Sequence, residues 1–225
     1  MMKTIIGFDT ATHACSVALS YQGQVIERFE IAPRRHTDLL LPMIDSLLAQ
    51  AGIAKSAIDF ISYGQGPGSF MGVRLATAVA QGLGFGLNRA LIPLSTLRIL
   101  AQTALLNQDQ MKVEHVYVGW DARMQEMYLG EYRQNQQGLM QLQGKEQLCS
   151  PQEIILPAKI DSLVGNGWQE YAMQLPVNVR ESKVRRILEV YPYAAAAVQL
   201  AQAEIENAIP AEKAEPVYLR NRVTN

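Results

Sequence analysis

Tyr63-Gly-Gln-Gly-Pro-Gly-Ser-Phe-Met-Gly-Val-Arg74 is the segment around which the rest of the chain is organised. Its four glycines and one proline give a loop able to adopt backbone angles closed to other residues. An apolar run ending at Ile61 precedes it, and the small-residue segment Val73–Leu87 follows with helical periodicity. Strand, glycine loop and helix start place bare backbone N–H groups and a positive helix end beside one concavity, where an anion or phosphate can sit. The spacing fits neither G-x-x-x-x-G-K-S/T nor a clean G-x-G-x-x-G, so neither standard phosphate loop is assigned. A tight turn where two helices approach closely explains the same composition, and the residues alone leave both readings open.

Downstream, Gly72, Ala76, Ala80 and Gly84 fall on one i, i+4 row, with Gly82 and Gly86 beside it. Each interior glycine costs about 1 kcal/mol against alanine, which predicts a compensating close approach by another helix. Upstream, a helix runs from Thr37 or Asp38 to Ala51 and stops at Gly52, with Pro42 in its first turn or at a bend. Leu39, Leu40, Leu41, Met43, Ile44, Leu47 and Leu48 cover more of its circumference than one core-facing stripe needs. A partner is therefore expected on this helix, and the two helices together are its interface: Leu39, Leu40, Met43, Ile44 and Leu47 from the first, Ala76, Ala80 and Gly84 from the second. His36 reads as a surface or capping residue.

Thr4–Thr10, Ala14–Tyr21 and Gln24–Ile31 read as strands, the last two joined by a Gln22-Gly23 turn, and Ile53–Ile61 supplies a fourth. Asp9 and Thr10 stand at the first turn; an Asp-Thr pair also caps a turn through its own backbone. Ala90–Pro93 is a short strand, and Ser95-Thr96 can cap a helix to Leu106. The polar residues 107–112 mark a boundary. Beyond it come strands over Val113–Asp121 and Glu126–Arg133, a turn at Asn135–Gly138, a strand pair over Leu139–Cys149, and a helix start at Ser150-Pro151 with Glu153. Leu163-Val-Gly-Asn-Gly-Trp168 is a second strand, glycine turn and helix start, making Gly165 and Gly167 candidates to face a phosphate. Pro192–Ile205 is an alanine-rich helix, and the tail ends in Arg220 and Arg222, an exposed basic contact point.

With 225 residues the chain can bury a sizeable core, in one large domain or two small ones. Its formal net charge of −1 gives no general attraction for nucleic-acid backbones, though a local basic patch is compatible with it. Cys15 and Cys149 read as reduced thiols of a cytosolic protein. Neither a signal peptide nor an apolar run of membrane-spanning length is expected. His13, His36 and His115 are scattered without metal-ligand spacing, so no metal is assigned. Ser69 does not lie in a G-x-S-x-G elbow. Asp121-Ala-Arg123 reads as a strand-end salt bridge or a domain contact.

Gly66-Pro-Gly-Ser-Phe-Met-Gly-Val-Arg74 resembles the GPGSFTGxR signature of the TsaB (YeaZ) family of the tRNA threonylcarbamoyladenosine pathway. Gly7-Phe-Asp-Thr-Ala-Thr12, Asp121-Ala-Arg-Met-Gln-Glu-Met-Tyr128 and Glu215-Pro-Val-Tyr-Leu-Arg220 match the family in the same order, almost from end to end. Met71 stands where the family usually has Thr. The resemblance implies an α/β fold of the actin, sugar-kinase and Hsp70 (ASKHA) type, two lobes each with a mixed sheet flanked by helices. The divisions expected are residues 1–106, a smaller lobe over 107–191, and a helix and tail over 192–225 that packs back on the first lobe. Residues facing a nucleotide or phosphate in such a fold would be Asp9, Thr10, Gly66, Gly68, Ser69, Gly72, Arg74, Gly165 and Gly167. The related catalytic subunit TsaD carries a His-x-x-x-His metal pair, whereas Leu94–Leu105 contains no histidine. The resemblance thus implies a non-catalytic, cytoplasmic scaffold for TsaD, working with the ATPase TsaE, and meeting tRNA only within that complex. No cofactor is required, ATP or ADP is bound weakly at most, and a homodimer forms when TsaD is absent. Alternatives are a small magnesium-dependent phosphotransferase or ATPase using Asp9, the glycine loop and Asp121, and a peptidase.

Overall fold

The computed structural model describes residues 2–107 and 113–220. The chain forms two compact units: residues 1–99 with 192–217, and residues 100–191 with 218–225. The division falls inside a helix rather than at the expected 106/107, and the polar residues 108–112 lie outside the described residues.

The first unit is built on a five-stranded sheet. β1 (Ile5–Asp9), β2 (Ala14–Tyr21) and β3 (Gln24–Ile31) form an antiparallel meander; β4 (Phe60–Gly66) and β5 (Ala90–Ser95) add in parallel. The order β3-β2-β1-β4-β5 is the mixed sheet expected of an ASKHA-like fold. The fourth strand begins later than Ile53, because Lys55–Ala57 makes a turn of 3-10 helix and β1 pairs from Phe60 onward. Helix α1 (His36–Ala51) ends where Gly52 takes a left-handed φ of 66°, with Pro42 in its interior rather than its first turn. Helix α2 runs Phe70–Leu87 and α3 runs Thr96–Leu106. Ser95 Oγ caps α3, accepting from the Leu97 and Arg98 amides. By length and composition alone α2 could cross a membrane, contrary to expectation. Its inner row, however, is part of the unit's own core.

Helix α6 (Ala194–Ala203) returns to the first unit and lies on β1 and β2, so close that a Cβ at Gly7 would sit 2.6 Å from Val198. No side chain of its own N-terminus caps it. A carboxylate from the meander does so: Glu27 Oε1 accepts from the Ala195 amide at 2.9 Å and from Ser16 Oγ at 3.0 Å, while Ser16 Oγ accepts from the Ala194 amide at 2.8 Å. Burial raises the Glu27 pKa against these hydrogen bonds. Burial also pushes the Cys15 thiol up to about 12, which keeps it protonated and inert.

In the second unit β6 (His115–Asp121) pairs antiparallel with β7 (Met127–Gln134), and parallel with β10 (Ser162–Val164), which is followed by β11 (Arg185–Ile187). β8 (Met140–Leu142) and β9 (Gln147–Cys149) both pair with β7 and not with each other, so the expected strand pair is two short additions to one long strand. The start at Ser150 gives only a 3-10 turn without a side-chain cap. Two one-turn helices, α4 (Gly167–Glu170) and α5 (Val177–Arg180), cover a core of Tyr117, Met127, Leu129, Leu163, Trp168 and Val179.

Candidate functional site

The glycine loop and the first turn close on each other. Ser69 Oγ caps α2 by accepting from the Gly72 amide at 3.1 Å, which occupies one of the N–H groups an anion would need. Ser69 N donates to the Ala11 carbonyl at 2.7 Å, and Thr10 Oγ1 donates to the Gly72 carbonyl at 2.7 Å. A Cβ at Gly72 would overlap the Thr10 carbonyl oxygen, and one at Gly68 would lie 2.5 Å from that of Ala11. Gly66 has a φ of 100°, a left-handed angle that L side chains rarely adopt, and its would-be Cβ lies 2.8 Å from the Val217 carbonyl. These glycines are therefore required by backbone packing against the first turn and the tail. The approach predicted from their composition is real, but the neighbour is a turn rather than a helix.

Asp9 is fully buried inside this junction. Its Oδ1 accepts from the Ala11 amide at 2.8 Å and its Oδ2 from Thr96 Oγ1 at 3.0 Å. Gly64 leaves the space for the carboxylate, since a Cβ there would overlap it. Burial raises the Asp9 pKa from 3.8 to about 6, against the lowering by those two hydrogen bonds. Both oxygens are engaged internally and none of the side chain meets solvent, so these residues do not fit a magnesium-phosphate site as they stand. Among the described residues no cluster of three or more His, Cys, Asp or Glu could hold a metal. The sequence presents Thr96 only as part of a helix cap. Its pairing with Asp9 joins residues 87 positions apart and has no local signature.

Arg74 is placed over the ring of Phe70, 3.3 Å from its centroid. In the second unit, Gly165 (φ 106°) and Gly167 bring the turn against β6, their would-be Cβ atoms 2.5 and 2.9 Å from the Gly119 carbonyl. That turn is also a packing device. Asp121 forms the expected strand-end bridge, 3.1 Å from Arg123, and its Oδ1 accepts from the Arg123 amide and from Tyr171 Oη. Arg220 is not an exposed contact point. Its guanidinium donates to the carbonyls of Ala122 and Arg123 and to Glu126, holding a segment in which Arg123, Met124 and Gln125 all have positive φ. Arg222 lies outside the described residues.

The two helices require a correction. Leu40, Ile44, Leu47, Ala76 and Ala80 are buried in the first unit's own core, and Leu39 and Met43 pack against it partly buried. Gly84 faces Ala211, whose Cβ would be 2.8 Å from an added Cβ. None of the fully buried residues can face a partner, because α1 and α2 lie on the sheet through that side. Their other sides are different. Leu41, Met71 and Phe85 are 49%, 72% and 63% exposed, and a Cβ at Gly82 or Gly86 would meet nothing within 4 Å. Exposed Met71, Arg74, Ala78, Gly82 and Phe85 follow one helical stripe along α2. The apolar circumference was visible in the sequence, but its inward and outward halves were not.

Comparison with known proteins places these features in a family. Residues 21–218 match the family model described as "TsaD: tRNA N6-adenosine threonylcarbamoyltransferase". The chain is 38% identical to the tRNA threonylcarbamoyladenosine biosynthesis protein TsaB of Haemophilus influenzae, over 98% of this chain and 95% of that one. It is 35% identical to the TsaB of Escherichia coli, over 97% and 95%. The solved structure of YeaZ from Pseudomonas aeruginosa superposes with a TM-score of 0.89 at 40% identity, covering 97% of this chain and all of that one. With the signature loop, the first turn and the tail all in place, the chain belongs to the TsaB (YeaZ) family of tRNA threonylcarbamoyladenosine biosynthesis proteins.

Proposed function

We propose that this chain is the non-catalytic scaffold subunit of a cytoplasmic tRNA threonylcarbamoyltransferase. It stabilises TsaD, which transfers the threonylcarbamoyl group to N6 of adenosine 37, and helps form the surface that TsaE and tRNA approach. The observation that carries this reading is the open apolar and small-residue stripe on α2, and Leu41 of α1 is exposed as well. Gly82 and Gly86 cost helix stability where, among the described residues, nothing uses their small size, which suits another subunit's backbone approaching closely. Without TsaD the same stripe joins two copies of this chain, since exposed apolar surface tends to be covered. The enclosure of Asp9 supports a subunit that needs no cofactor and holds ATP or ADP weakly at most.

The test uses the outward residues. A charge at Leu40 or Ala76 would enter the core and unfold the chain, so Leu41→Glu and Phe85→Glu are the appropriate variants. Light scattering of the chain mixed with TsaD from the same organism is expected to give a 1:1 complex that either charge abolishes while the variant's own melting curve is kept. A complex indifferent to both charges would refute the interface. Magnesium-dependent ATP turnover by the isolated chain, lost in Asp9→Ala, would favour the phosphotransferase instead.

A further inference from the structure

We infer that the exposed edge of the second unit's sheet, at β11 and the connections entering β10 and β11, is a contact surface for the phosphate backbone of the tRNA. This rests on the proposed role in a tRNA-modifying complex. The chain carries −1 overall, yet residues 180–186 hold Arg180, Lys183, Arg185 and Arg186 against the single acid Glu181. That is +3 in seven residues, and removing it from −1 leaves −4 for the remainder, so positive charge is concentrated here against the trend of the molecule. β11 is the outer strand of the sheet, and Arg180, Lys183, Arg185 and Arg186 are all exposed.

The register extends the strip. Arg185 begins β11 opposite Ser162, which begins β10 and is in turn opposite Val116 near the start of β6. The connections entering β10 and β11 therefore meet at one end of the sheet, and the one before β10 carries exposed Lys159. The ends of these two adjacent strands lie about 5 Å apart, so the cations on their connections stand close enough to meet neighbouring phosphates of one nucleic-acid strand. The acids nearby are Asp161, Glu131 and the exposed Glu181 and Glu189. Asp161 accepts from the amides of Glu114 and His115, and Glu131 is bound by His115 at 2.7 Å. Among the described residues, Arg180, Lys183, Arg185 and Lys159 have no ion-pair partner. Arg186 is different, its guanidinium donating to the carbonyls of Val179 and Arg180, so it fixes the α5–β11 connection that presents the others. Exposed cations along a sheet edge suit sequence-independent contact with a phosphate backbone, which positions an RNA rather than selecting it.

The experiment measures tRNA binding to the complex of this chain with TsaD, by fluorescence anisotropy across a salt series, for wild type and for Lys183→Glu/Arg185→Glu. Light scattering verifies the complex in each case. The expected result is an intact complex, affinity lower by about tenfold, and a log–log salt slope shallower by roughly 1.4 to 1.8, two phosphate contacts' worth. Should the reversal variant fail to fold, Lys183→Gln/Arg185→Gln serves, with the same expected slope change. Unchanged affinity and slope in an intact complex would overturn the strip while leaving the scaffold role standing. Loss of the complex itself in the variant would make the strip a protein contact and overturn the RNA assignment. Failure of the wild-type chain to join TsaD would overturn the scaffold role and this inference with it.

Discussion

Gly72→Ala separates a packing role for the glycine loop from a ligand-binding one. The added methyl overlaps the Thr10 carbonyl oxygen and would stand 2.6 Å from Ser69 Oγ, so the clash is with backbone and with the helix cap. Relief requires the loop to lift from the first turn. That weakens the two bonds between them, Thr10 Oγ1 to the Gly72 carbonyl and the Ser69 amide to the Ala11 carbonyl. Overpacking costs about 1–3 kcal/mol, and two weakened hydrogen bonds add about 1 kcal/mol each. Alanine returns about 1 kcal/mol of helix propensity. The net expectation is a loss of about 2–4 kcal/mol with no ligand present. Urea unfolding followed by circular dichroism reads it as a lower midpoint at unchanged slope. Gly82→Ala is the internal control: open space surrounds that position, so the same substitution should stabilise the isolated chain by about 1 kcal/mol. A Gly72→Ala chain as stable as wild type would refute the packing account and return the loop to the role of a ligand cradle.

Two further outcomes follow from the buried carboxylate of Asp9 and the half-buried one of Glu27. Asp9 has a folded pKa of about 6 against an ordinary 3.8, so the native state binds its proton more tightly than the unfolded state. Its contribution to stability is therefore present at low pH and is lost as pH rises from about 4 through 6, by about 3 kcal/mol in all. Stability of wild type relative to Asp9→Asn, measured by denaturation at pH 4.5 and pH 7, should drop across that interval; parallel pH profiles would contradict it. Glu27→Ala should uncap α6, costing about 2 kcal/mol and speeding amide exchange at Ala194 and Ala195; unchanged exchange there would show that the carboxylate does not hold the helix.

Local chemistry was legible in the sequence wherever cause and effect lie within about one helical turn. Gly52 ends α1, Ser95 caps α3, Gln22-Gly23 turns β2 into β3, and β2 and β3 have the bounds their alternation predicts. These depend on backbone angles and short-range hydrogen bonds that neighbouring residues fix. The signature motifs likewise identified the family, because they bring the chain's characteristic loops with them. What only the tertiary structure decided are the contacts between distant segments. Asp9 finds Thr96, Glu27 finds the start of α6, Arg220 finds the loop at Ala122–Glu126, and β8 and β9 both choose β7. The most consequential case is α1 and α2, whose apolar composition announces two covered sides without saying which is inward. That assignment is made by the sheet, which takes Leu40, Ile44, Leu47, Ala76 and Ala80 for the core and leaves Leu41, Met71 and Phe85 outside. Periodicity encodes how apolar a helix surface is, whereas the rotation that buries one part of it is fixed by what the rest of the chain packs against it.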